Sequence, residues 1–308
     1  MTDIDWSKWL GIVVKAANGV GKLRKRICRH RRTAMVIYGA EYGRLFFQHL
    51  ISDINEIAGL AGIDLVHLGA TGSALHRSLA SLKVHRPYID GIMVLPTTFS
   101  GADKAAIVQF LQEMKLPTAV LDNRDNFFVP VLPNVAYRYF DNGAAAELFA
   151  RHLGQVTLVQ QDLPLSSDEQ TRISAFSRRS SISVSSLRPR ETAFETFLSL
   201  DITNTTDIVC MNDDQAIGVD DALHARAVCG VAMRNINVWS YDCCASMDVR
   251  IRDEGRYFRG GVRQDTKMLA TEAIAALGML FNGENADSRS FAPKWCGPTA
   301  TEGSSARQ

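Results

Sequence analysis

Long apolar runs are missing from the chain. Among 308 residues, 46% of them hydrophobic, no uninterrupted apolar span reaches the roughly 18 residues that a membrane-crossing helix needs. The amino-terminal run "WLGIVV" is short, acidic residues precede it and the positive charges follow it, which is unlike a secretory signal. We therefore expect a cytoplasmic protein with no membrane partner.

Cysteines and histidines at metal-binding spacings are missing too. The six cysteines include no C-x-x-C pair, and the seven histidines include no H-x-x-x-H pair. This usage favours reduced thiols over a disulfide framework, and it predicts no metal site.

The common catalytic motifs are also absent. The stretch "AANGVGKL" resembles a phosphate-binding loop, but Ala16 stands where the first glycine belongs, and Leu23 replaces the hydroxyl residue that holds magnesium. No G-x-S-x-G, H-E-x-x-H or strand-linked G-x-G-x-x-G motif occurs. We expect neither an enzyme nor a cofactor.

From Thr33 onward, short apolar runs alternate with amphipathic stretches. "IDLVHLG" precedes "SALHRSLASL", and "DGIMVLP" precedes "ADKAAIVQFLQEM". Runs of four to six β-prone residues between helical patterns indicate parallel strands that are covered on both faces. The predicted class is α/β and doubly wound, and in such sheets ligands bind beyond the carboxyl ends of the strands.

Polar side chains follow several of these predicted strands. In "CMNDDQAIG", at 210–218, an apolar run stops at Asn212 and Asp213, where a helix begins. Such residues can simply cap the helix, or they can contact a ligand. Other predicted strand ends carry further candidates, namely Arg44, Phe46, Phe47, Asp122, Asn123, Asp242 and Gln264.

The order of these motifs resembles a known fold. Asn212, Asp213, Ala216 and Gly218 match the spacing Asn-Asp-x-x-Ala-x-Gly of the type I periplasmic-binding-protein fold, which sugar-binding proteins share with the sensor domains of lactose/galactose-repressor family regulators. "RISAF" with Arg172, the pair Tyr241 and Asp242, and Gln264 before the last long helix resemble further family motifs in the same order.

This resemblance covers about Thr33 to Ala300 and implies two Rossmann-like lobes with a ligand cleft between them. Lobe one is expected at 33–137 plus about 262–288, and lobe two at 138–261 plus about 289–300. Residues 1–32 would form a separate basic segment. The ligand is expected to close the lobes.

The residue types fit a sugar, a polyol or a related hydroxylated ligand. Hydroxyls both donate and accept hydrogen bonds, so such a site needs carboxylates, an arginine fork and amides. An aromatic ring can cover the apolar face of a sugar, although Phe46 and Phe47 equally fit a buried helix start. The candidate ligand-binding set is Arg44, Phe46, Phe47, Asp122, Asn123, Arg172, Asn212, Tyr241, Asp242 and Gln264.

The amino-terminal segment is basic and faintly resembles the recognition-helix region of repressor-family DNA-binding modules. Its charges could neutralise the phosphates of duplex DNA, and a solvated tail explains them equally well. We expect a homodimeric, sugar-responsive regulator of the lactose/galactose-repressor type; the alternative is the substrate-binding protein of a sugar importer. The candidate phosphate contacts are Lys22, Arg24, Lys25, Arg26, Arg29, Arg31 and Arg32.

Overall fold

The structure, a computed structural model, describes residues 31–39, 44–84, 88–96, 99, 101–121, 134–162, 167–174, 176, 178–185, 187–202, 207–231, 235–253 and 256–298. The strands are β1 (Arg32–Tyr38), β2 (Ile63–Gly69), β3 (Gly91–Val94), β4 (Thr118–Leu121), β5 (Val135–Phe140), β6 (Val156–Gln161), β7 (Arg178–Val184), β8 (Asp207–Cys210), β9 (Asn237–Ser240), β10 (Phe258–Arg263), β11 (Arg289–Phe291) and β12 (Lys294–Cys296). The helices are α1 (Leu45–Leu60), α2 (Gly72–Val84), α3 (Gly101–Met114), α4 (Asn142–His152), α5 (Ser167–Ser174), α6 (Pro189–Ser199), α7 (Asp213–Val228), α8 (Asp248–Arg252) and α9 (Thr266–Phe281).

The chain forms two compact units, and each is built from segments distant in sequence. The first contains the described residues of Met1–Tyr139 and Lys267–Ser290, and the second those of Phe140–Thr266 and Phe291–Gln308. The chain thus returns to the first unit at the start of α9, whereas the sequence interpretation placed this return at about 262. β10 lies wholly within the second unit.

The sheet of the first unit has six strands in the order β11-β5-β4-β3-β1-β2. β1 pairs in parallel with β2 and β3, and the parallel pairing continues through β4 to β5. Every residue of β3 and β4 is buried, as expected for central strands covered on both faces. The α/β, doubly wound class predicted from the sequence is confirmed for this sheet.

The second sheet repeats this plan in the order β12-β10-β9-β8-β6-β7. All its pairings are parallel except that of β12, which runs antiparallel to β10. Beneath one face lies an apolar core that includes Phe149, Leu158, Val209 and Tyr241. The carboxyl ends of β6, β8, β9 and β10 therefore meet along one edge of the sheet.

A buried arginine, Arg138, ties β5 to the distant segment that completes the first unit. Its guanidinium donates to the carbonyl oxygens of Tyr137 (2.8 Å), Glu272 (3.3 Å) and Asp287. Burial lowers the pKa of Arg138, with the charge of Arg289 adding to this effect. These carbonyl acceptors compensate much of the cost of burying the charge.

The expectation of reduced thiols does not hold for one pair of cysteines, because Cys243 and Cys296 are joined by a disulfide. Their 53-residue separation carries no sequence motif. Cys296 ends β12, which pairs with β10, and β10 pairs with β9, which the turn carrying Cys243 follows. Gly260 permits this approach, because a Cβ atom there would lie 1.7 Å from the carbonyl oxygen of Cys296. Cys210, Cys229 and Cys244 remain unpaired thiols.

Candidate ligand-binding site in the second unit

Four of the predicted site residues lie together at the carboxyl edge of the second sheet. Cys210 of β8 is in register with Ser240 of β9, so Asn212 and Asp242, each two residues further on, lie beside each other. The backbone N–H of Gln264 donates to the carbonyl oxygen of Asp242 at 3.1 Å. Arg172 reaches the same place from α5.

Asn212 is the N-cap of α7, and it is one of the two residues that the sequence offered for this role. Its side-chain oxygen Oδ1 accepts the backbone N–H of Gln215 at 3.0 Å, which is the bond of an N-cap. The residue is buried, so this hydrogen bond is largely shielded from solvent. Because Oδ1 serves the cap, the amide nitrogen Nδ2 is the atom that Asn212 could offer to a ligand.

Asp213, which the sequence motif contains but the candidate ligand-binding set does not, positions the turn that carries Asp242. Its buried carboxylate accepts the Ser240 hydroxyl at 2.6 Å and the Cys244 backbone N–H at 2.8 Å. Asp213 thereby fixes both ends of the turn 240–244, which carries Asp242. The available signal was the pair of acids Asp213 and Asp214 directly after the cap residue Asn212 at a predicted strand end.

Arg172 is held in a defined orientation over this edge. Its Nε donates to Oδ1 of Asn142 at 2.9 Å, and Nη1 lies 3.5 Å from the carbonyl oxygen of Met211. The same Nη1 is 3.9 Å from Oδ1 of Asp242, and both side chains are largely buried. The two opposite charges nearly cancel, so the pair presents donors and acceptors without a large net charge.

Tyr241 supports Arg172 from below. The ring is fully buried, 4.7 Å from the ring of Phe149 between centroids, and the Arg172 guanidinium lies 5.0 Å above it. Its hydroxyl donates to the Arg172 carbonyl oxygen at 3.2 Å, and burial raises the pKa of Tyr241. Tyr241 thus acts through Arg172 and has no open face to offer a sugar ring.

Gln264 carries the strongest indication of a ligand. The residue is 2% exposed, yet neither Oε1 nor Nε2 of its amide has a hydrogen-bond partner within the described part of the chain. Native proteins satisfy most buried polar groups, because an unpaired one costs roughly 1 to 3 kcal/mol. A bound group that both donates and accepts would remove this cost.

Three of the remaining candidates lie in the described part of the first unit. Phe46 and Phe47 are both buried near the start of α1, with ring centroids 5.3 Å apart. Arg44 stands at the N-cap position of this helix. Asp122 and Asn123, which follow β4, lie outside the described residues.

Two of the candidate phosphate contacts have carboxylate partners within the first unit. Arg31 pairs with Asp64 and Arg32 with Asp90, each at 3.3 Å. Both arginines are exposed, so these ion pairs are weak and DNA phosphate could replace the carboxylates. Lys22, Arg24, Lys25, Arg26 and Arg29 lie outside the described residues.

Two buried thiols lie near the edge of the second sheet. Burial, with the charge of Asp213 adding to it, raises the pKa of the Cys210 and Cys244 thiols, so both stay protonated. Within the described ranges, no group of three or more His, Cys, Asp or Glu side chains could hold a metal ion. No described helix is long and apolar enough to cross a membrane.

No protein-family model and no curated protein sequence matches the chain. Solved structures do match. A LacI transcriptional regulator from a Rhodococcus species is 20% identical with a TM-score of 0.61, covering 87% of this chain and 97% of that one. A LacI family regulator from Enterococcus faecium with bound ribose is 16% identical with a TM-score of 0.65, covering 86% and 96%. A periplasmic solute-binding protein from Actinobacillus succinogenes with bound D-allose is 20% identical with a TM-score of 0.70, covering 87% and 98%.

These similarities confirm the predicted type I periplasmic-binding-protein fold. Regulators and periplasmic sugar-binding proteins both occur among the matching structures, and at 14–20% identity the likeness concerns the fold.

Proposed function

We propose that the chain is the cytoplasmic, small-molecule sensor of a homodimeric transcriptional regulator of the lactose/galactose-repressor type, and that it binds a sugar or a polyol. The observation that carries the ligand proposal is the buried Gln264 amide, which has no hydrogen-bond partner among the described residues and whose backbone is bonded to Asp242 of the Arg172–Asp242 pair. A hydroxyl group can satisfy both ends of that amide, because it donates one hydrogen bond and accepts others.

The charges at this edge favour an uncharged ligand. Arg172 supplies donors and Asp242 supplies acceptors, while their opposite charges cancel within 3.9 Å. A phosphate or a carboxylate would have to compete with Asp242 for the guanidinium, whereas vicinal hydroxyls can bond both side chains at once. Similar proteins have been solved with ribose, D-allose and lactose, which are uncharged ligands of this kind.

A thermal-shift screen tests the ligand proposal. The sugar panel contains ribose, D-allose, glucose, galactose, lactose and ribitol. A ligand present at a hundred times its Kd stabilises the folded chain by about 2.7 kcal/mol, which raises Tm measurably. The control is Gln264→Leu, which removes the unpaired amide and should lose the shift. If no member of the panel raises Tm in the wild type, the proposed ligand class is wrong.

The regulator proposal rests on the basic run from Lys22 to Arg32. If that run contacts phosphate, the affinity for duplex DNA falls steeply as salt rises, and deletion of residues 1–32 abolishes it. Undiminished DNA binding by the deletion variant would contradict this assignment. Size-exclusion chromatography with light scattering tests the homodimer.

A second function, the substrate-binding protein of a sugar importer, is favoured by the disulfide between Cys243 and Cys296. Disulfides persist in oxidising compartments and are rare in the cytosol. The importer protein would bind the same sugar panel but no DNA. Absence of DNA binding by the full chain at low salt, together with an intact disulfide in protein purified without reductant, would favour it over the regulator.

A further inference from the structure

Gln161, the last residue of β6, lies at the same carboxyl edge of the second sheet as the candidate site. The residues that follow one another across neighbouring strands in register are called a row here. Val159 of β6 is in register with Cys210 of β8, so Gln161 and Asn212, each two residues further on, are neighbours beyond that pairing. The register of β8 with β9 extends the row from Asn212 to Asp242. Adjacent strands are about 4.8 Å apart, and residues in register point to the same face of a sheet.

The Gln161 side chain is buried and incompletely bonded. The residue is 7% exposed, and its Nε2 has no acceptor within the described part of the chain. On the other side of β6 its register partner is Val184 of β7, which is buried and has no polar side-chain atom. No described residue on the β7 side therefore accepts this N–H, while Asn212 lies on the β8 side.

We propose that Gln161 is a further ligand-contacting residue, whose Nε2 donates to an oxygen of the ligand that Asn212, Asp242 and Gln264 bind. This inference rests on the proposed function. It extends the contact surface over the ends of four neighbouring strands, which are β6, β8, β9 and β10. It also specifies the chemistry: at Gln161 the ligand presents an acceptor oxygen, either a hydroxyl or a ring ether.

The structure separates this role from a merely structural one. Gln161→Met keeps the length of the side chain and removes the unpaired donor. Because the donor has no partner among the residues that the structure describes, its removal should leave Tm of the unliganded protein unchanged or higher. A glutamine that supported the fold would lower Tm when replaced.

The test is isothermal titration calorimetry of Gln161→Met with the member of the sugar panel that raises wild-type Tm most. Loss of one neutral hydrogen bond should weaken binding about three- to tenfold. The matched control is Gln155→Met: this exposed glutamine precedes the amino-terminal end of β6, far along the strand from Gln161, and its replacement should keep wild-type affinity.

The possible outcomes are distinct. Weaker binding with undiminished Tm supports the inference. Unchanged affinity in Gln161→Met overturns the inference, whatever happens to Tm. Unchanged affinity with unchanged Tm would indicate that a water molecule is the partner of Gln161. If Gln264→Leu loses binding while Gln161→Met keeps it, only the Gln161 inference fails. If the wild type binds no member of the panel, the proposed function fails and this inference fails with it.

Discussion

Replacing Asn212 in two different ways separates its role as a helix cap from its proposed role as a ligand contact. Its Oδ1 accepts the Gln215 N–H at 3.0 Å, and its Nδ2 is the atom available to a ligand. Asn212→Ser keeps a capping oxygen and removes the amide nitrogen. Asn212→Ala removes both.

The expected magnitudes differ between the two variants. Loss of the cap in Asn212→Ala costs about 1 kcal/mol, or roughly 2 to 4 °C in Tm for a unit of this size. The free energy of unfolding of Asn212→Ser should lie within a few tenths of a kcal/mol of the wild-type value. Both variants lose the Nδ2 donor, so both should bind the strongest panel sugar about tenfold more weakly, or 1.4 kcal/mol.

Scanning calorimetry without ligand and titration calorimetry with the sugar measure the two quantities independently. The ligand role of Asn212 is refuted if Asn212→Ser binds as tightly as the wild type. The cap role is refuted if Asn212→Ala melts at the wild-type temperature.

Three further predictions concern the framework around the site. Arg138→Met should destabilise the first unit by about 3 kcal/mol in denaturant unfolding, because three carbonyl oxygens lose their donor, whereas Arg151→Met, at an exposed ion pair, should cost at most about 0.5 kcal/mol. Equal losses would contradict the role of Arg138. Cys243→Ser should lower the free energy of unfolding by about 4 kcal/mol according to the loop-entropy relation, whereas Cys229→Ser should leave it nearly unchanged. Two additional titratable thiols in unreduced wild-type protein would contradict the disulfide. Closure of the lobes by ligand predicts a smaller radius of gyration in solution scattering with saturating sugar, and no change would indicate a rigid binding module.

The sequence predicted those features that depend on local patterns. The order of apolar runs and amphipathic stretches predicted the fold, because buried parallel strands and their covering helices each have their own periodicity. The cap at Asn212 was predictable for the same reason, since it involves only the next three residues. The spacing of family motifs indicated Arg172, Asp242 and Gln264, which the structure brings together.

Features that depend on distant pairing could not be predicted. β5, with the sequence "VAYRYF", contains a buried arginine whose acceptors include carbonyl groups 134 and 149 residues away. The disulfide joins cysteines without a motif. The position of Gln161 follows from the register between β6 and β8, and a one-residue shift would turn its side chain to the other face.

The late position of α9 and β11 in the chain has a consequence for synthesis on the ribosome. The acceptor of Arg138 at Asp287 is made 149 residues after the arginine itself, a delay of about 7 to 30 s at 5–20 residues per second. During that interval the nascent first unit lacks Ala276 and Leu280, which cover Ala136 in the finished core. The amino-terminal half of the protein therefore emerges as an incomplete domain that a holding chaperone can bind, and it completes its fold only when nearly the whole chain has been translated.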